Sequence, residues 1–534
     1  MEKRIAEVYH QETKYAEREM GKHERRLDLR QQPLSYKEYH SEKGFDLIPY
    51  LPFQNNPFTG EPIGPIAKLT EEVPIERTTL SRLLYFTNGV TGILRYPNGQ
   101  SLLLRAAPTA GGLYPTEIYL AVRNCSYLES GIYNFQVKDH SLVLAWEGDY
   151  WNAFEKYCMG HEAIGQSNFL VFLTAVYERS AWRYSERAYR RILLDTGHVL
   201  GNLVAYAPQE GLTPCPIGGF FDASLNSLLY LDKSKEGVLA VVALPKSDGI
   251  EKTQVRPDSA VASRSSTLGI ADSEMLQLAL HRASSILEGQ GALREDEVAS
   301  KPIRLESTPP FYSESTKTET KIIFRDTPIS WPEGVGQTIL TRRSSRGFTG
   351  EAFLQEEVSS ILEYAYLPMT ALQQGLASSL ASPPPLAKPM EPPLPSFFFA
   401  PSLLTTTLVV QKVVGLSEGI YQYDPKEKAA SLMRPGDFRA QTSHFCLGQD
   451  LAKNAAALVI HLAHFPTALE QYGDRAYRYL HLDAGHIGER MNLAAIQMGL
   501  GVSGIGGFYD DEVNALLGLS LDWIVVYITT LGRP

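Results

Sequence analysis

The sequence predicts an α+β protein made of two similar domains that follow one another in one chain. The first observation is a repeat, because Arg187–His198 (RAYRRILLDTGH) and Arg475–His486 (RAYRYLHLDAGH) match at a spacing of 288 residues. The second is that both copies combine short apolar runs, typical of buried strands, with a long helical pattern. Such elements pack as layers of sheet and helix. Two like domains in one chain further predict an intramolecular pseudo-dimer.

Each copy contains the same predicted elements in the same order. They are a strand, a helix and a last strand, at 169–177, 187–211 and 237–244 in the first copy and at 456–462, 475–499 and 523–531 in the second. Gly197 and Gly485 stand in the middle of the two helices, where glycine costs roughly 1 kcal/mol relative to alanine. Because this cost occurs in both copies, we expect another helix to approach closely at both glycines.

The same spacing relates further motifs. It maps Ile217–Phe220 (IGGF) onto Ile505–Phe508, and Gly131–Tyr133 (GIY) onto Gly419–Tyr421. A period of this length is far too long for a solenoid, so each copy is expected to be a whole domain. The predicted organisation is a charged leader at 1–47, a first domain at 48–245, a linker at 246–330 and a second domain at 331–534.

Two segments outside the repeated motifs have distinct compositions. The linker is polar but contains one predicted helix at 272–287. A proline-rich stretch at 382–395 (SPPPLAKPMEPPLP) lies inside the second copy. Proline lacks the backbone donor that helices and central strands need, so this stretch is predicted to be an extended loop.

Composition and charge exclude several classes of protein. The chain has 534 residues, of which 44% are apolar and 21% charged, as in ordinary globular proteins. Its net charge of −10 argues against broad binding to nucleic acids or anionic membranes. The four cysteines form no C-x-x-C pair, and no apolar run is long enough for a signal peptide or a membrane span. We therefore expect a cytoplasmic protein.

A basic cluster in the second copy is a candidate anion site. Residues 341–348 read TRRSSRGF, so three arginines and two serines stand within five positions ahead of a predicted helix. Guanidinium groups, hydroxyls and the backbone N–H groups at a helix start can all bind phosphate. The alternative is a solvated basic cluster near the start of a helix.

Two glycine motifs are candidates for close contact with a flat ligand. Residues 107–119 read APTAGGLYPTEIY, in which Gly111-Gly112 lets the backbone approach a ligand; the alternative is an ordinary loop entering a strand. The two I-G-G-F turns precede acidic helix starts, and their free N–H groups suit donation to a ligand heteroatom. The alternative for them is a tight turn before a helix.

The histidines are weaker candidates. Asp195-x-Gly-His198 and Asp483-x-Gly-His486 lie on the predicted long helices, where a histidine is more often structural than catalytic. No carboxylate or cysteine completes a metal site around His461-x-x-His464, so no metal is expected. The chain has no G-x-S-x-G, P-loop or dinucleotide-binding motif.

Taken together, these motifs resemble the nitroreductase superfamily. The chain is most similar to its SagB/ThcOx-type dehydrogenases, which include the peptide azoline oxidases. The resemblance rests on an R-x-S-x-R box, a P-T-A-G-G-L-Y-P loop, an R-x-Y-R…G-H helix and a terminal I-G-G-F turn, and it covers both copies. It implies FMN at a two-fold interface between domains, with hydride transfer through flavin N5.

The resemblance also implies which residues bind the cofactor. The box would hold the phosphate, the loop would lie against the ring, and the second I-G-G-F turn would lie near N5. The implied cofactor-binding residues are Pro108, Thr109, Ala110, Gly111, Gly112, Leu113, Arg342, Arg343, Ser344, Arg346, Ile505, Gly506, Gly507 and Arg533.

The two copies depart from this pattern in complementary ways. The first copy has the loop, but its residues 54–65 (QNNPFTGEPIGP) contain no base where the box would stand. The second copy has the box, but residues 400–407 (APSLLTTT) lack the glycine pair. In a pseudo-dimer, the intact box and the intact loop meet at one site, so we expect one FMN per chain.

By the same resemblance, Trp182, Arg183 and Tyr184 are expected over the flavin, where azoline oxidases carry a Lys-Tyr pair. We assign Arg183 and Tyr184 as the candidate catalytic residues. Arginine is not a base at neutral pH, whereas Tyr184 could exchange a proton if its pKa is lowered. The alternative is that the two residues only pack at a helix start.

The sequence leaves the substrate and the reductant open. The candidate substrates are a peptide heterocycle, a quinone, a nitroaromatic or another small molecule, and NAD(P)H is a candidate reductant. One alternative is a flavin-binding protein without activity that acts as a scaffold. A second is peptide recognition by the leader and the proline-rich loop. Further oligomerisation beyond the pseudo-dimer is also compatible with the sequence.

Overall fold

The computed structural model shows an α+β fold in two domains, as the sequence predicts. It describes residues 3–20, 27–39, 43–63, 75–97, 101–247, 259–263, 275–288, 321–325, 328–374 and 398–534. The predicted proline-rich loop at 382–395 lies outside these ranges. Among the helices that are described, none has both the length and the apolar character needed to cross a membrane.

Each domain is built on a seven-stranded antiparallel sheet, and the two sheets have the same strand order. In the first domain the strands, taken across the sheet, are Gly44–Asp46, Ser141–Glu147, Gly131–Gln136, Thr116–Val122, Ser167–Val176, Glu236–Pro245 and Cys215–Ile217. In the second they are Lys321–Ile323, Ala429–Pro435, Gly419–Asp424, Thr405–Val410, Ala457–His464, Trp523–Gly532 and Gly501–Ile505. The predicted strands are confirmed.

The sheets are covered on both faces. Along Thr116–Val122, Ile118 and Leu120 belong to a core cluster on one face, whereas Tyr119 and Ala121 belong to a separate cluster on the other. This alternation follows from the two-residue period of a strand, and it explains why the central strands are apolar throughout. Small two-stranded ribbons lie apart from the sheets, at Val90–Arg95 with Ser101–Arg105 and at Phe353–Leu354 with Val413–Val414.

Most of the helices repeat as the strands do. In the first half they are Ile5–Glu12, Glu17–Met20, Ile75–Asn88, Trp151–Tyr157, Glu162–Gly165, Tyr177–Tyr184, Ala188–Tyr206 and Asp222–Leu228. In the second half they are Leu276–Ala283, Gly334–Thr341, Gln355–Gln374, Arg439–Phe445, Asp450–Lys453, Phe465–Tyr472, Ala476–Gln497 and Asp510–Leu517.

The two long helices, Ala188–Tyr206 and Ala476–Gln497, pack against each other and are called the central helices below. A Cβ added to Gly197 would lie 2.9 Å from the Cα of Gly485 and would collide with the carbonyl oxygen of Leu482. The predicted close approach at both glycines is therefore confirmed. Side chains of both central helices belong to one continuous apolar cluster, so the two domains share a core.

Two buried ion-pair clusters join the domains. Asp510 of the second domain accepts from Arg187 and Arg190 of the first, at 2.7 and 2.6 Å. At the equivalent place, Asp222 of the first domain accepts from Arg475 and Arg478 of the second, at 2.7 Å each. In each cluster one buried carboxylate is shared by two guanidinium groups, so every one of these ionised groups has an opposite charge within hydrogen-bond distance.

A short helix completes each ion-pair cluster, and the two short helices are called the arm helices below. After the arm helix Ile5–Glu12, the hydroxyl of Thr13 accepts from Arg190 at 3.0 Å. After the arm helix Leu276–Ala283, the hydroxyl of Ser284 accepts from Arg478 at 2.8 Å. The leader and the linker thus contribute the same element, and the structural repeat begins at the arm helices. The helix predicted within the linker is confirmed.

Candidate functional site

A cavity of about 820 Å³ lies between the two domains. It brings together most of the residues that the sequence predicts. The predicted residues that line it are Pro108, Thr109, Ala110, Gly111, Gly112, Tyr184, Arg342, Arg343, Ser344, Arg346, Ile505, Gly506 and Gly507. Leu113, Arg183 and Arg533 do not line it. The first domain supplies the loop and the second supplies the box and the glycine turn.

The three predicted residues outside the cavity wall have other surroundings. Leu113 is buried in the protein. Arg183 is exposed, and its Cδ would lie 3.1 Å from a Cβ added at Gly111. Arg533 donates to the Glu357 carboxylate at 2.8 Å. Arg533 therefore has a carboxylate partner outside the cavity wall.

Arg342 is the buried member of the basic box. Its Nε donates to the carbonyl oxygen of Ala106 at 2.8 Å, and its Nη1 is buried with no hydrogen-bond partner among the residues described. The Glu489 carboxylate lies 4.0 Å away. A buried donor without an acceptor is costly, so Nη1 has capacity for an anionic ligand. Arg342 is the C-cap of the helix Gly334–Thr341, so it lies at the C-terminal end of a helix. The backbone N–H groups of a helix start, which the sequence predicted to help bind the anion, are not beside it.

The remaining residues of the box have different roles. Arg343 donates to the carbonyl oxygen of Thr91 at 2.8 Å, which ties the box to the first domain, and burial lowers the pKa of Arg343. Arg346 is exposed at the cavity. Ser345 exchanges two hydrogen bonds with the backbone of Val502, at 2.9 and 3.0 Å. The box is thereby fixed beside the strand that leads to the glycine turn.

The loop from the first domain is held by Asp195 on its central helix. The Asp195 carboxylate accepts from the Thr109 hydroxyl at 2.5 Å and from the backbone N–H of Ala110 at 3.2 Å. Burial raises the pKa of Asp195 to about 7. Gly111 has a φ of +67°, and a Cβ there would lie 2.7 Å from the Tyr184 hydroxyl, so this position requires glycine.

Tyr184 lines the cavity beside this loop. Its pKa is raised by burial, although Arg191 and Arg183 act to lower it. A lowered pKa, on which proton exchange by Tyr184 was made conditional, is therefore not found, because desolvation outweighs the two guanidinium groups. Tyr184 stays protonated at neutral pH and can act as a hydrogen-bond or proton donor.

The two glycine turns differ in what their N–H groups contact. In the first domain, the Ser259 carbonyl oxygen accepts from the N–H groups of Gly218 and Gly219, at 2.5 and 2.6 Å. Val261 covers the same turn, since its Cβ would lie 3.1 Å from a Cβ added at Gly219. The linker segment 259–263 therefore occludes this turn, and it is called the plug below.

In the second domain, Gly506 and Gly507 are half-exposed and line the cavity. No acceptor for their N–H groups occurs within the described ranges. The plug shows that such a turn binds a carbonyl-like acceptor with both N–H groups. The second turn has the same donors available to a ligand.

The half of the molecule that contains the plug is closed in other ways too. Asp483 holds the backbone N–H groups of Phe399 and Ala400 at 2.9 and 2.7 Å, as Asp195 holds the first loop. Phe399 stacks on Tyr479 with 5.5 Å between ring centroids, and the Tyr479 hydroxyl donates to the Val261 carbonyl oxygen at 2.9 Å. Aromatic side chains and the plug thus occupy the place equivalent to the cavity.

Several cavity residues were missed by sequence reasoning. They are chiefly Arg191, Glu489, Asn492 and Tyr527, of which all but Glu489 line the wall and Glu489 lies behind Arg342. His198, one of the weaker candidates from the sequence, lines the wall as well. Burial lowers the pKa of His198 to about 4 and raises that of Glu489 to about 8. A signal was present for Arg191 and Glu489, because the copies differ there: Arg191 corresponds to Tyr479, and Glu489 corresponds to Gly201.

His461 and His464, the weak metal candidates from the sequence, each contact a hydroxyl group. The Tyr366 hydroxyl lies 2.9 Å from His461 Nε2, and His464 Nδ1 lies 2.8 Å from the Thr467 hydroxyl. In the part of the chain that is described, one group of three potential ligands occurs at the surface, formed by Glu17, His444 and Glu512. His444 Nε2 lies 2.7 Å from the Glu512 carboxylate, within hydrogen-bond distance.

The fold and the cavity define a tandem protein of two equivalent α+β domains with a cavity at their junction. Residues 68–245 and 339–533, more than half of the chain, match the Nitroreductase family. The chain belongs to this family, and it contains two nitroreductase domains in tandem. Members of the family typically bind flavin and act as oxidoreductases.

Individual relatives agree with this assignment. A nitroreductase-like crystal structure from Anabaena variabilis is 37% identical, and the two chains cover each other completely with a TM-score of 0.82. The nitroreductase-like protein MJ1384 of Methanocaldococcus jannaschii is 32% identical over 158 residues, which are 30% of this chain and 76% of MJ1384. The microcin B17-processing protein McbC of Escherichia coli is 25% identical over 142 residues, 26% of this chain and 52% of McbC.

Proposed function

We propose that this protein is an FMN-dependent oxidoreductase with one FMN site per chain, in the cavity between its domains. One observation carries the proposal. Of the two equivalent glycine turns, the turn at Gly506-Gly507 opens into a cavity that also contains the Arg/Ser box, whereas the turn at Gly218-Gly219 is occluded by the plug. A cavity with donors at two separate places suits a ligand that has an anionic end and a heteroaromatic end.

The residues present fit this cofactor. Arg342 contributes a buried Nη1 without an acceptor among described groups, and Ser344 and Arg346 lie beside it on the cavity wall. These three residues would hold the phosphate through charge-assisted hydrogen bonds. Gly506 and Gly507 would donate to the ring, and the Pro108–Gly112 loop would support it. FMN, when bound, supplies hydride transfer through N5.

The protein's own residues would then position and protect the reacting groups. Asp195 fixes the loop, and Tyr184 presents a protonated hydroxyl to the cavity because burial raises its pKa. His198 donates from Nδ1 to the Leu194 carbonyl oxygen at 2.7 Å, and its low pKa keeps the ring neutral. Arg183 contributes through its contacts with the loop, since its Cδ would lie 3.1 Å from a Cβ added at Gly111, and an arginine does not serve as a base.

We further infer that the two domains take the place of the two subunits of a homodimer. The paired ion clusters, the paired arm helices and the reciprocal contact of Gly197 and Gly485 relate the halves as two subunits are related in a symmetric dimer. The plug occupies the site that this symmetry would otherwise duplicate.

The proposed substrate is a small molecule or a peptide. The similarity to McbC, whose name describes processing of microcin B17, supports including peptides. NAD(P)H is the proposed reductant in assays, with quinones and nitroaromatics as acceptors.

The test is the absorbance spectrum of the purified chain after incubation with FMN and removal of free flavin. Bound flavin is released by denaturation and counted against protein. One FMN per chain, reduced by NAD(P)H or dithionite and reoxidised by a quinone or a nitro compound, supports the proposal. No bound flavin, or flavin that undergoes no redox exchange, contradicts it.

A further inference from the structure

Arg191 is a buried cation on the cavity wall without a built-in counterion. It is 6% exposed and stands on the first central helix. Its Nη2 donates to the Tyr15 hydroxyl at 3.2 Å, and its Nε is buried without a partner among described residues. No described carboxylate lies within 4.0 Å of it, in contrast to its neighbours Arg187 and Arg190, which share Asp510. A buried charge in this state is costly unless something pairs with it.

The charged and polar groups around Arg191 do not supply the missing anion. Arg187 lies on the same helix and Arg183 on the preceding one, and both act as cations. Asp195 is the nearby acid, but it is engaged by Thr109 and Ala110, and burial raises its pKa to about 7. From the second domain, Gly506 presents backbone N–H groups, so the surroundings contain donors in excess of acceptors.

Ring contacts fix the orientation of the guanidinium. Its Cζ lies over the Tyr184 ring, 3.9 Å from the ring centroid, in a cation–π contact. A Cβ added at Gly506 would lie 2.9 Å from Arg191 Nη1, so this nitrogen faces the open glycine turn. The free N–H groups of Arg191 and of the turn therefore converge on the same part of the cavity.

The repeat supplies an independent comparison. The position that corresponds to Arg191 in the second copy is Tyr479, which hydrogen-bonds to the plug through the N–H and carbonyl groups of Val261, at 3.0 and 2.9 Å. The occluded half thus has a neutral side chain that binds a neutral backbone segment. The open half has a cation at the same place, which indicates that its occupant carries a negative charge.

We propose that Arg191 is the anion-binding residue on the substrate side of the cavity, and that the substrate carries a carboxylate. A planar carboxylate matches the fork of a guanidinium better than a neutral group does. This inference rests on the proposed function, because it assigns FMN to the box and the glycine turn and leaves Arg191 to the substrate.

The test compares benzoate with benzamide, which have the same shape and differ in charge. Each is titrated into the FMN-loaded protein while the flavin absorbance is followed, and calorimetry on the same samples measures binding without relying on the flavin. We expect benzoate to bind at least about tenfold more tightly than benzamide, the ratio that one charge-assisted pair supplies. Arg191→Gln should remove this preference while keeping one FMN per chain, and Arg191→Lys should retain part of it.

Arg18→Gln, a change of an exposed arginine, is the matched control and should keep the preference. Equal binding of both probes to the unaltered protein overturns the inference, as does an unchanged preference in Arg191→Gln. Loss of FMN from Arg191→Gln also overturns it, because Arg191 would then hold the cofactor. If the unaltered protein binds no FMN, the proposed function fails, and calorimetry still decides whether Arg191 selects the anion.

Discussion

The backbone carbonyl oxygen of Ser259 lies 2.5 Å from the amide nitrogen of Gly218, so a residue of the linker hydrogen-bonds to the glycine turn of the first domain. The same carbonyl accepts from Gly219 at 2.6 Å. A carbonyl that accepts two amide N–H groups in a buried site is well satisfied. The linker is therefore part of the folded core of the protein as well as a connection between domains.

The plug leads to a prediction about Tyr479. Tyr479→Phe removes the hydroxyl that bonds to Val261 and to the Gly218 carbonyl oxygen. We expect a loss of about 1–3 kcal/mol in the free energy of unfolding, measured by urea denaturation. FMN should stay at one per chain, because the first domain lacks the basic box. Tyr230→Phe, at an exposed tyrosine, should change neither quantity; a second FMN in Tyr479→Phe would refute the asymmetry.

The basic box leads to a prediction about cofactor retention. Arg342→Gln combined with Arg346→Gln removes two positive charges from one end of the cavity. We expect the double variant to lose bound FMN, since each charge-assisted hydrogen bond to phosphate contributes roughly 1.5–3 kcal/mol. Flavin released per chain is the measurement. Arg18→Gln with Arg30→Gln changes charge equally at exposed positions and should retain the flavin; full retention by the box variant would exclude the assigned phosphate site.

The contact between the central helices leads to a prediction about Gly485. Gly485→Ala places a methyl group 3.0 Å from the Cα of Leu194, among backbone atoms that cannot move aside cheaply. We expect a destabilisation of at least about 1–3 kcal/mol, visible as a lower Tm. Gly44→Ala, where a Cβ meets nothing within 4 Å, is the matched control. An unchanged Tm for Gly485→Ala would show that the helices do not approach so closely.

The buried aspartates lead to a prediction about pH. Burial raises the pKa of Asp195 and of Asp483 to about 7 each. Between about pH 4 and 7 the folded protein therefore holds protons that the unfolded chain has released, so its stability falls as the pH rises. Each aspartate contributes a slope of about −1.4 kcal/mol per pH unit, and the slope ends above about pH 7.

Asp195→Asn should remove one of these two contributions and flatten the dependence of the unfolding free energy on pH. Asp139→Asn, at an exposed aspartate, should leave the dependence as it is. Chemical denaturation at a series of pH values between 5 and 8 provides the measurement. A steeper decline in Asp195→Asn than in the unaltered chain would contradict the direction of the shift.

Local patterns in the sequence were sufficient to predict the repeated architecture. Apolar runs identify the central strands because those strands are buried on both faces, and the glycine pair at 197 and 485 predicts the helix contact because only glycine tolerates it. The cavity residues were predicted where a motif combines several residues, as in the Arg/Ser box and the Pro108–Gly112 loop.

Long-range partners account for what the sequence did not reveal. The resemblance to the family included Arg533 among the implied cofactor-binding residues. In the structure its guanidinium pairs with the carboxylate of Glu357, which is 176 residues away in the chain. The plug reads SAVAS, a run of small residues inside a polar linker, and nothing in these residues indicates that Ser259 meets Gly218. The sequence did not distinguish Arg191 from the other arginines of the RAYRR motif, because it does not show which of them pair with a carboxylate in the fold.

The plug also bears on how this chain tolerates mutation. In a symmetric homodimer every substitution appears in both active sites at once. A residue that favours catalysis but lowers folding stability therefore destabilises both subunits. Here the half that contains the plug is filled by its own backbone and by stacked aromatic rings, and it is free to accumulate stabilising changes. Random mutagenesis should accordingly find that substitutions around the plug mainly change the free energy of unfolding. Substitutions around the open cavity should mainly change turnover.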